Sequence, residues 1–550
     1  VPDRTALRRG GIAIAALLAA VGCTRTGPAF GGRNPWTVPG RFVYAESTDT
    51  KSLNVMLATS AATGDLDSFI FSYAVVYDQY GKPVPDALRE IPTLENGDVS
   101  RDGLTLRYKL RANITFQDGV KLTCADLTFT WQAVMNPANN DVTHDGYRDI
   151  ESIDCSDPLV AVIHMKRVYA PFLQQLWGVN SNAPIMPAHL LAKYNDAKGS
   201  FNTAPFQAAP VGSGPFKFVR WTRGQSVQLE AYDGYFGGKP KLRTVTFKIL
   251  PDDITLVDQV RTHEIDMAAR VGNQVWPQAQ GIPGTIAEAT PIYAYQHIDF
   301  NLKRPMFADV RVRRALAYAL DKREMLAKLA HGNGDLSSVA VSPALSPNYD
   351  PHVATYPYDP GQARRLLDEA GWKVGAGGVR VRDGVRLAFD LATPVELQTD
   401  RAIETFAQQQ WHAIGVAASI KNVPSAQMYD NSTSGVLQGG KYDVAMFEWY
   451  GAADPDDSAI YSSANLAPHG QNALFWNDRV ATKAMNDGLQ TVDPVARKAA
   501  SWREQAEFAA QVPSIILWFD REPYVYNRDL TGFTPSPVIS PFWDPAKYAI

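Results

Sequence analysis

The chain has 550 residues, of which 45% are hydrophobic, 11% aromatic and 20% charged, and its formal net charge is −4. Such a composition excludes a disordered or coiled-coil protein and predicts several folding units. So small a charge on so long a chain gives no electrostatic reason to expect nucleic acid or an anionic lipid surface as a partner.

Arg4, Arg8 and Arg9 precede an apolar run from Ile12 to Val21 that is too short to cross a bilayer and suits the hydrophobic region of a secretory signal. Ala20, Val21 and Gly22 lead into Cys23. This ending resembles a bacterial lipoprotein box, with alanine where that class of signal prefers leucine, and implies a lipid on Cys23. A plain cleaved signal or an uncleaved anchor is the alternative. Residues 24–40, rich in Gly, Pro and Thr and without period, read as a flexible tether after a signal of residues 1–23. Nothing else approaches the ~18 apolar residues of a membrane span. Beyond Cys23 only Cys124 and Cys155 remain, and in an oxidising compartment they predict a disulfide; as buried free thiols they would carry no chemistry.

Folding is predicted to begin with a strand at Phe42–Tyr44. The polar run with Ser60 and Thr63 reads as a loop, and an apolar aromatic segment follows near Tyr73 to Tyr80. Leu104, Leu106, Tyr108 and Leu110 alternate as a strand, Asp118-Gly119 turns, and Thr123 caps a helix on which Leu127, Trp131 and Val134 share a side. Ile153 to Met165 reads as a buried strand, and Gly212-Ser213-Gly214 as a tight turn. Val245, Phe247 and Ile249 lead into a helix through Val260. The alternation that ends at Asn301 is followed by Asp309 as an N-cap, with Val312, Ala315, Leu316, Ala319 and Leu320 on one face and Arg311, Arg313 and Arg314 left largely to water. A further helix starts at Asp321 with Glu324 completing a capping box, and Gly332 stops it. Asp359-Pro360 opens another, whose stripe is Ala363, Leu366, Leu367 and Ala370. Glu404 to His412 reads as helix and Val416 to Ile420 as strand. Val444 and Met446 then deliver the loop EWYGAADPDDSAIYSS.

Enzyme signatures fail residue by residue. Ser213 lacks the Gly-x-Ser-x-Gly frame, because Val211 and Pro215 flank it. His263-Glu264 begins like a zinc helix, but Met267 stands where the second histidine belongs. Gly375 to Gly378 follow a helix and make no phosphate loop between strand and helix. Asp454, Asp456 and Asp457 lack calcium-loop spacing and read as a solvated acidic turn. No catalytic group, metal site or cofactor is expected.

Four stretches carry a resemblance. The strand ending FN, the Pro-x-Phe-x-Asp-Val turn and VRRALAYALDKREML form one. DGLTLRYKLRANITFQDGVKLTCADLTFTW, which keeps Phe116, Asp118, Gly119, Thr123 and Asp126 and places Cys124 and Leu127 where alanine and valine are usual, forms the second. PVGSGPF, with serine for threonine, and YDPGQARRLLDEAGW complete the set. Together they resemble extracytoplasmic solute-binding proteins of the peptide/nickel-binding family (family 5).

The resemblance implies an α/β, two-lobed periplasmic-binding-protein-like fold of type II, in its large cluster C form, with an extra subdomain. Residues 41–83, 190–285 and 513–550 would form lobe I, 84–189 the subdomain, and 286–512 lobe II. It further implies a monomeric receptor that captures a small solute by hinge closure and delivers it to the membrane subunits of an ABC permease. Di- or oligopeptides are the first expectation, nickel complexes or oligosaccharides the alternative within the family, and a secreted hydrolase the alternative outside it. The expected ligand-binding residues are Trp449, Tyr450, Gly451 and Asp454, with Ser213, Gly214, Tyr73 and Asn301. Trp449 and Tyr450 could equally pack in their lobe's own core. Peptide-binding members place an aspartate for the peptide amine where this chain has Ala452, which leaves Asp454 to take its part.

Overall fold

The computed structural model describes residues 32–550 apart from 59, 142 and 539. The signal-like segment with Cys23, and the tether up to residue 31, lie outside the described residues. From Asn34 onward the expected tether is docked: the Asn34 amide donates to Gly284 O and Asn527 Oδ1, both at 2.8 Å, and Trp36 stacks on His263 with ring centroids 3.6 Å apart.

An eleven-stranded mixed sheet runs through the molecule. In lobe I, Arg41–Glu46 lies parallel to both Thr244–Ile249 and Met267–Ala269, and Ser226–Ala231 and Phe216–Thr222 extend that half outward. In lobe II, Ala388–Ala392 lies parallel to Ala417–Ile420 and Val444–Tyr450. Two long antiparallel strands, Thr285–Phe300 and Ser514–Asn527, join the halves. Their register runs from Thr285 opposite Asn527 to Asp299 opposite Ser514 and slips between Pro291 and Tyr295, where the chain leaves one lobe for the other. Residue burial agrees. Ile515, Leu517 and Trp518 pack in the lobe II core, whereas Tyr524 and Tyr526 pack in that of lobe I. The crossing therefore falls inside these strands and not at residues 285 and 512.

The inserted unit carries its own three-stranded sheet, Thr105–Lys109, Ile150–Asp157 and Val160–Met165, but its core is continuous with that of lobe I. Two expectations change here. The stretch 153–165 is a hairpin whose first strand is largely exposed, because the chain turns at Pro158. Ser60 and Thr63 belong to the start of a helix, Ala61–Ile70, whose cap is the Ser60 side chain and whose Leu66, Phe69 and Ile70 are buried; its small, polar first turn hid it. Thr123 and Asp126 form the capping box of Cys124–Met135, and a disulfide from Cys124 to Cys155, Cα atoms 5.6 Å apart, ties that helix to the hairpin.

Asp309, Asp321 and Asp359 each cap the helix that follows, accepting from the backbone N–H of Arg311, Glu324 and Gln362. Of the arginines of Val310–Tyr318 only Arg311 lies on the wet face the periodicity suggested. Arg313 is 5% exposed, and its Nε donates to Gln511 O at 2.9 Å and Val512 O at 3.1 Å while Nη1 reaches Phe307 O. Arg314 donates to Ala510 O at 3.0 Å. Both cations thus close the negative C-terminal end of the helix Pro494–Gln511, where the backbone leaves carbonyls unpaired. Burial pulls Arg313 down to about 10, so it stays charged at neutral pH. Arg313→Ala strands those carbonyls and should cost about 3 kcal/mol, read as a shift of the lobe II transition in urea denaturation.

Candidate functional site

The break in the crossing strands opens onto a cavity of about 320 Å³ between the lobes. Lobe I contributes Arg270 and Glu522, the inserted unit Tyr169, Gln174 and Gln175, the crossing strand Tyr293 and Tyr295, and lobe II the loop after Val444–Tyr450. A second, more polar space of about 810 Å³ shares Asp145, Tyr169, Asp456, Ala459 and Gln471 with the first. The walls meet on both sides. Asp454 N–H donates to Gln174 Oε1 at 2.8 Å, Ala170 N–H to Leu489 O at 3.2 Å, and Gln274 Nε2 to Gln398 Oε1 at 2.8 Å.

Of the residues expected to meet ligand, Trp449, Tyr450, Gly451 and Asp454 line this cavity. Tyr450 is 59% exposed, and Trp449 packs one edge against Phe447. Ser213, Gly214, Tyr73 and Asn301 do not line it. Gly212 and Gly214 let the chain press on the end of helix Ala61–Ile70: a Cβ at Gly212 would lie 1.9 Å from Ile70 O, and Gly214 N–H donates to that same oxygen at 2.8 Å. Ser213 is wholly buried there, and Tyr73 packs in the lobe I core. Asn301 is spent on structure, its amide donating to Tyr442 O at 2.8 Å and Gly440 O at 3.2 Å.

Asp454 is neither wet nor free. Arg497 holds it with two hydrogen bonds of 2.6 and 2.7 Å, a bidentate pair largely out of water. The rest of the acidic turn is only part-exposed. Burial, aided by the charge of Asp454, raises Asp456 to about 6; burial and the neighbouring Asp456 raise Asp457 to about 8.

Arg270, which no motif or periodicity singles out, lies across the cavity. Its guanidinium donates to Asp65 Oδ2 at 2.7 Å and Glu46 Oε2 at 3.0 Å and pairs with Glu522 Oε1 at 2.8 Å. One cation among three carboxylates leaves the group electron-rich, and burial with the nearby Asp65 charge raises Glu46 to about 8. The alternation of Tyr293 and Tyr295 could have been found from the strand pattern. Tyr169 and Gln174 could not, since they reach the cavity from an inserted unit far away in sequence.

Residues 82–470 match the family described as Bacterial extracellular solute-binding proteins, family 5 Middle. The oligopeptide-binding protein AppA of Bacillus subtilis is 25% identical over 90% of this chain and 89% of its own length. The glutathione-binding protein GsiB of Escherichia coli is 27% identical over 80% of this chain and 82% of its own. Among solved structures, NikZ of Campylobacter jejuni in complex with Ni(L-His) superposes with a TM-score of 0.77 at 24% identity, covering 94% of this chain and 100% of that one. B. subtilis AppA with a nonapeptide gives 0.75 at 24% identity, covering 92% and 98%. The chain belongs to family 5 of the bacterial extracellular solute-binding proteins. It is a non-catalytic substrate receptor of ABC transport, and among the described residues no helix is long and apolar enough to cross a membrane.

Two outcomes follow from the buried charges. Arg497→Met leaves the Asp454 carboxylate buried without its cation and should cost about 3–5 kcal/mol, most of it recovered in Asp454→Asn/Arg497→Met; thermal denaturation of the singles and the double reads the coupling. Asp457, Asp456, Asp400 and Glu404 all have folded-state values raised by burial, to about 8, 6, 7 and 7. An acid of this kind favours folding while it keeps its proton, fully below about pH 4, and loses that contribution as pH rises through its folded value. The melting temperature of the ligand-free protein should therefore fall from pH 5.5 to 8.5 in scanning calorimetry, less steeply in Asp457→Asn.

Proposed function

We propose that this receptor captures short peptides by closing its lobes around them, and that a lipid on Cys23 holds it at the outer face of a membrane beside its permease. The observation that carries the reading is the pair of joined spaces between the lobes, about 320 and 810 Å³. Compact solute sites span roughly 300–1,000 Å³, so the joined space suits an extended ligand. The first space is walled by Trp449, Tyr450, Tyr169, Tyr293 and Tyr295, whose flat faces accept varied side chains, while Gln174, Gln175 and the Gly451 loop offer amide groups. Residues from both lobes meet the same ligand, which is the condition for ligand to favour the closed form. Relatives named for oligopeptides and glutathione point the same way.

Mass spectrometry of whatever co-purifies with the protein, followed by a thermal-shift screen of di- to nonapeptides, tests the reading. Peptides should raise the melting temperature, and Tyr450→Ala should weaken the best of them by about 1–2 kcal/mol, roughly 5- to 30-fold. A non-peptide solute in the purified protein, with no shift by any peptide, overturns it. Cys23→Ser expressed in a bacterial host should lose the lipid mass and appear in the soluble fraction.

A further inference from the structure

Behind the Trp449–Asp457 loop lies a small void of about 30 Å³, bounded by Pro455, Asp456, Asp457, Arg497, Ser501 and Glu504. It holds one water or one ammonium head. Pro455, Asp456 and Asp457 also line the main cavity, so the two spaces share one wall.

Its charges do not balance. Arg497 commits Nη1 and Nη2 to Asp454. Glu504, from helix Pro494–Gln511, is 4% exposed, lines the void and has no hydrogen-bond partner among the described residues. Asp457 Oδ2 is buried and equally unpartnered. Asp456 accepts from Ser458, its N–H at 3.1 Å, and also feels the charge of Arg497. The other titratable groups facing Asp457 are Tyr295 and Tyr461, whose hydroxyls are 3.1 Å apart and bring no positive charge. Glu504, buried and unpartnered, and the unpartnered buried oxygen of Asp457 ionise together more readily when a cation joins them.

We propose that Asp456, Asp457 and Glu504 form a subsite for an ammonium or guanidinium group of the ligand, so that this receptor selects positively charged solutes over neutral ones of the same shape. The inference rests on the interlobe cavity being the solute site, but not on the solute being a peptide. The entering cation drives the carboxylates into their ionised form and expels protons to solvent.

Isothermal titration of the purified protein at pH 7.5 with Ala-Lys-Ala, Ala-norleucine-Ala and agmatine tests it, alongside Glu504→Gln and Asp457→Asn. The lysine peptide should bind at least about tenfold more tightly than its norleucine counterpart, with an enthalpy that depends on the buffer's ionisation heat because protons are released. Either variant should shrink that ratio at least about fivefold, and Glu504→Gln, which lies outside the main cavity, should leave the norleucine affinity unchanged. Glu504→Gln removes a buried repulsion, so its melting temperature should match or exceed the parent's; Asp457→Asn provides an independent check. Agmatine binding that is lost in Glu504→Gln, with neither peptide bound, supports the subsite and removes the peptide reading. Equal affinity for the two peptides, a ratio unmoved in both variants, or binding by none of the three probes overturns the subsite.

Discussion

Everything in this molecule depends on the antiparallel pairing of Thr285–Phe300 with Ser514–Asn527. Each strand begins in the packing of one lobe and ends in that of the other, so the two cores are joined by backbone hydrogen bonds instead of a loose linker. Where the register slips between Pro291 and Tyr295, the ladder is interrupted and the strands can bend. The same interruption turns Tyr293 and Tyr295 toward the space between the lobes. On the proposed closing of the lobes, hinge and binding wall would be one feature of the sheet, and a solute touching that wall would touch the residues about which the lobes rotate.

The electrostatics of the cleft follow from the same geometry. Strands that end at a crevice deliver their polar residues into it, where water is scarce and each unpaired charge is expensive. The chain answers with ion pairs that lie mostly within a lobe: Arg497 with Asp454 in lobe II, Arg270 with Glu46, Asp65 and Glu522 in lobe I. Contacts between lobes are instead neutral hydrogen bonds, such as Asp454 N–H to Gln174. A neutral contact costs less to break than a buried ion pair, which suits surfaces that must part when solute leaves.

Much of the fold was legible in the sequence because its signals are local. Asp309, Asp321, Asp359 and Thr123 start helices through their own side chains, and the alternation at Leu104 to Leu110 marks a strand wherever the chain lies. Arg313 was misread because periodicity separates apolar from polar faces and cannot foresee that another helix ends against the polar one. The site divides likewise. Trp449, Tyr450, Gly451 and Asp454 share one loop at a strand end and were found together, whereas Arg270, Tyr169 and Gln174 arrive from separate units and share only the finished cavity. Ser213 and Gly214 looked like ligand-binding residues because glycines permit close approach, and they do permit it, but to the backbone of Ile70.

The docking of Asn34 and Trp36 onto lobe I has a consequence for reach. With a lipid on Cys23 as proposed, the leash would run only from Cys23 to Asn34, about 40 Å at full stretch. It would fasten to the lobe that carries the inserted unit, beside the end of a strand both lobes share. Lobe I would then hover within one protein diameter of the bilayer, and opening would swing lobe II while its partner stayed moored.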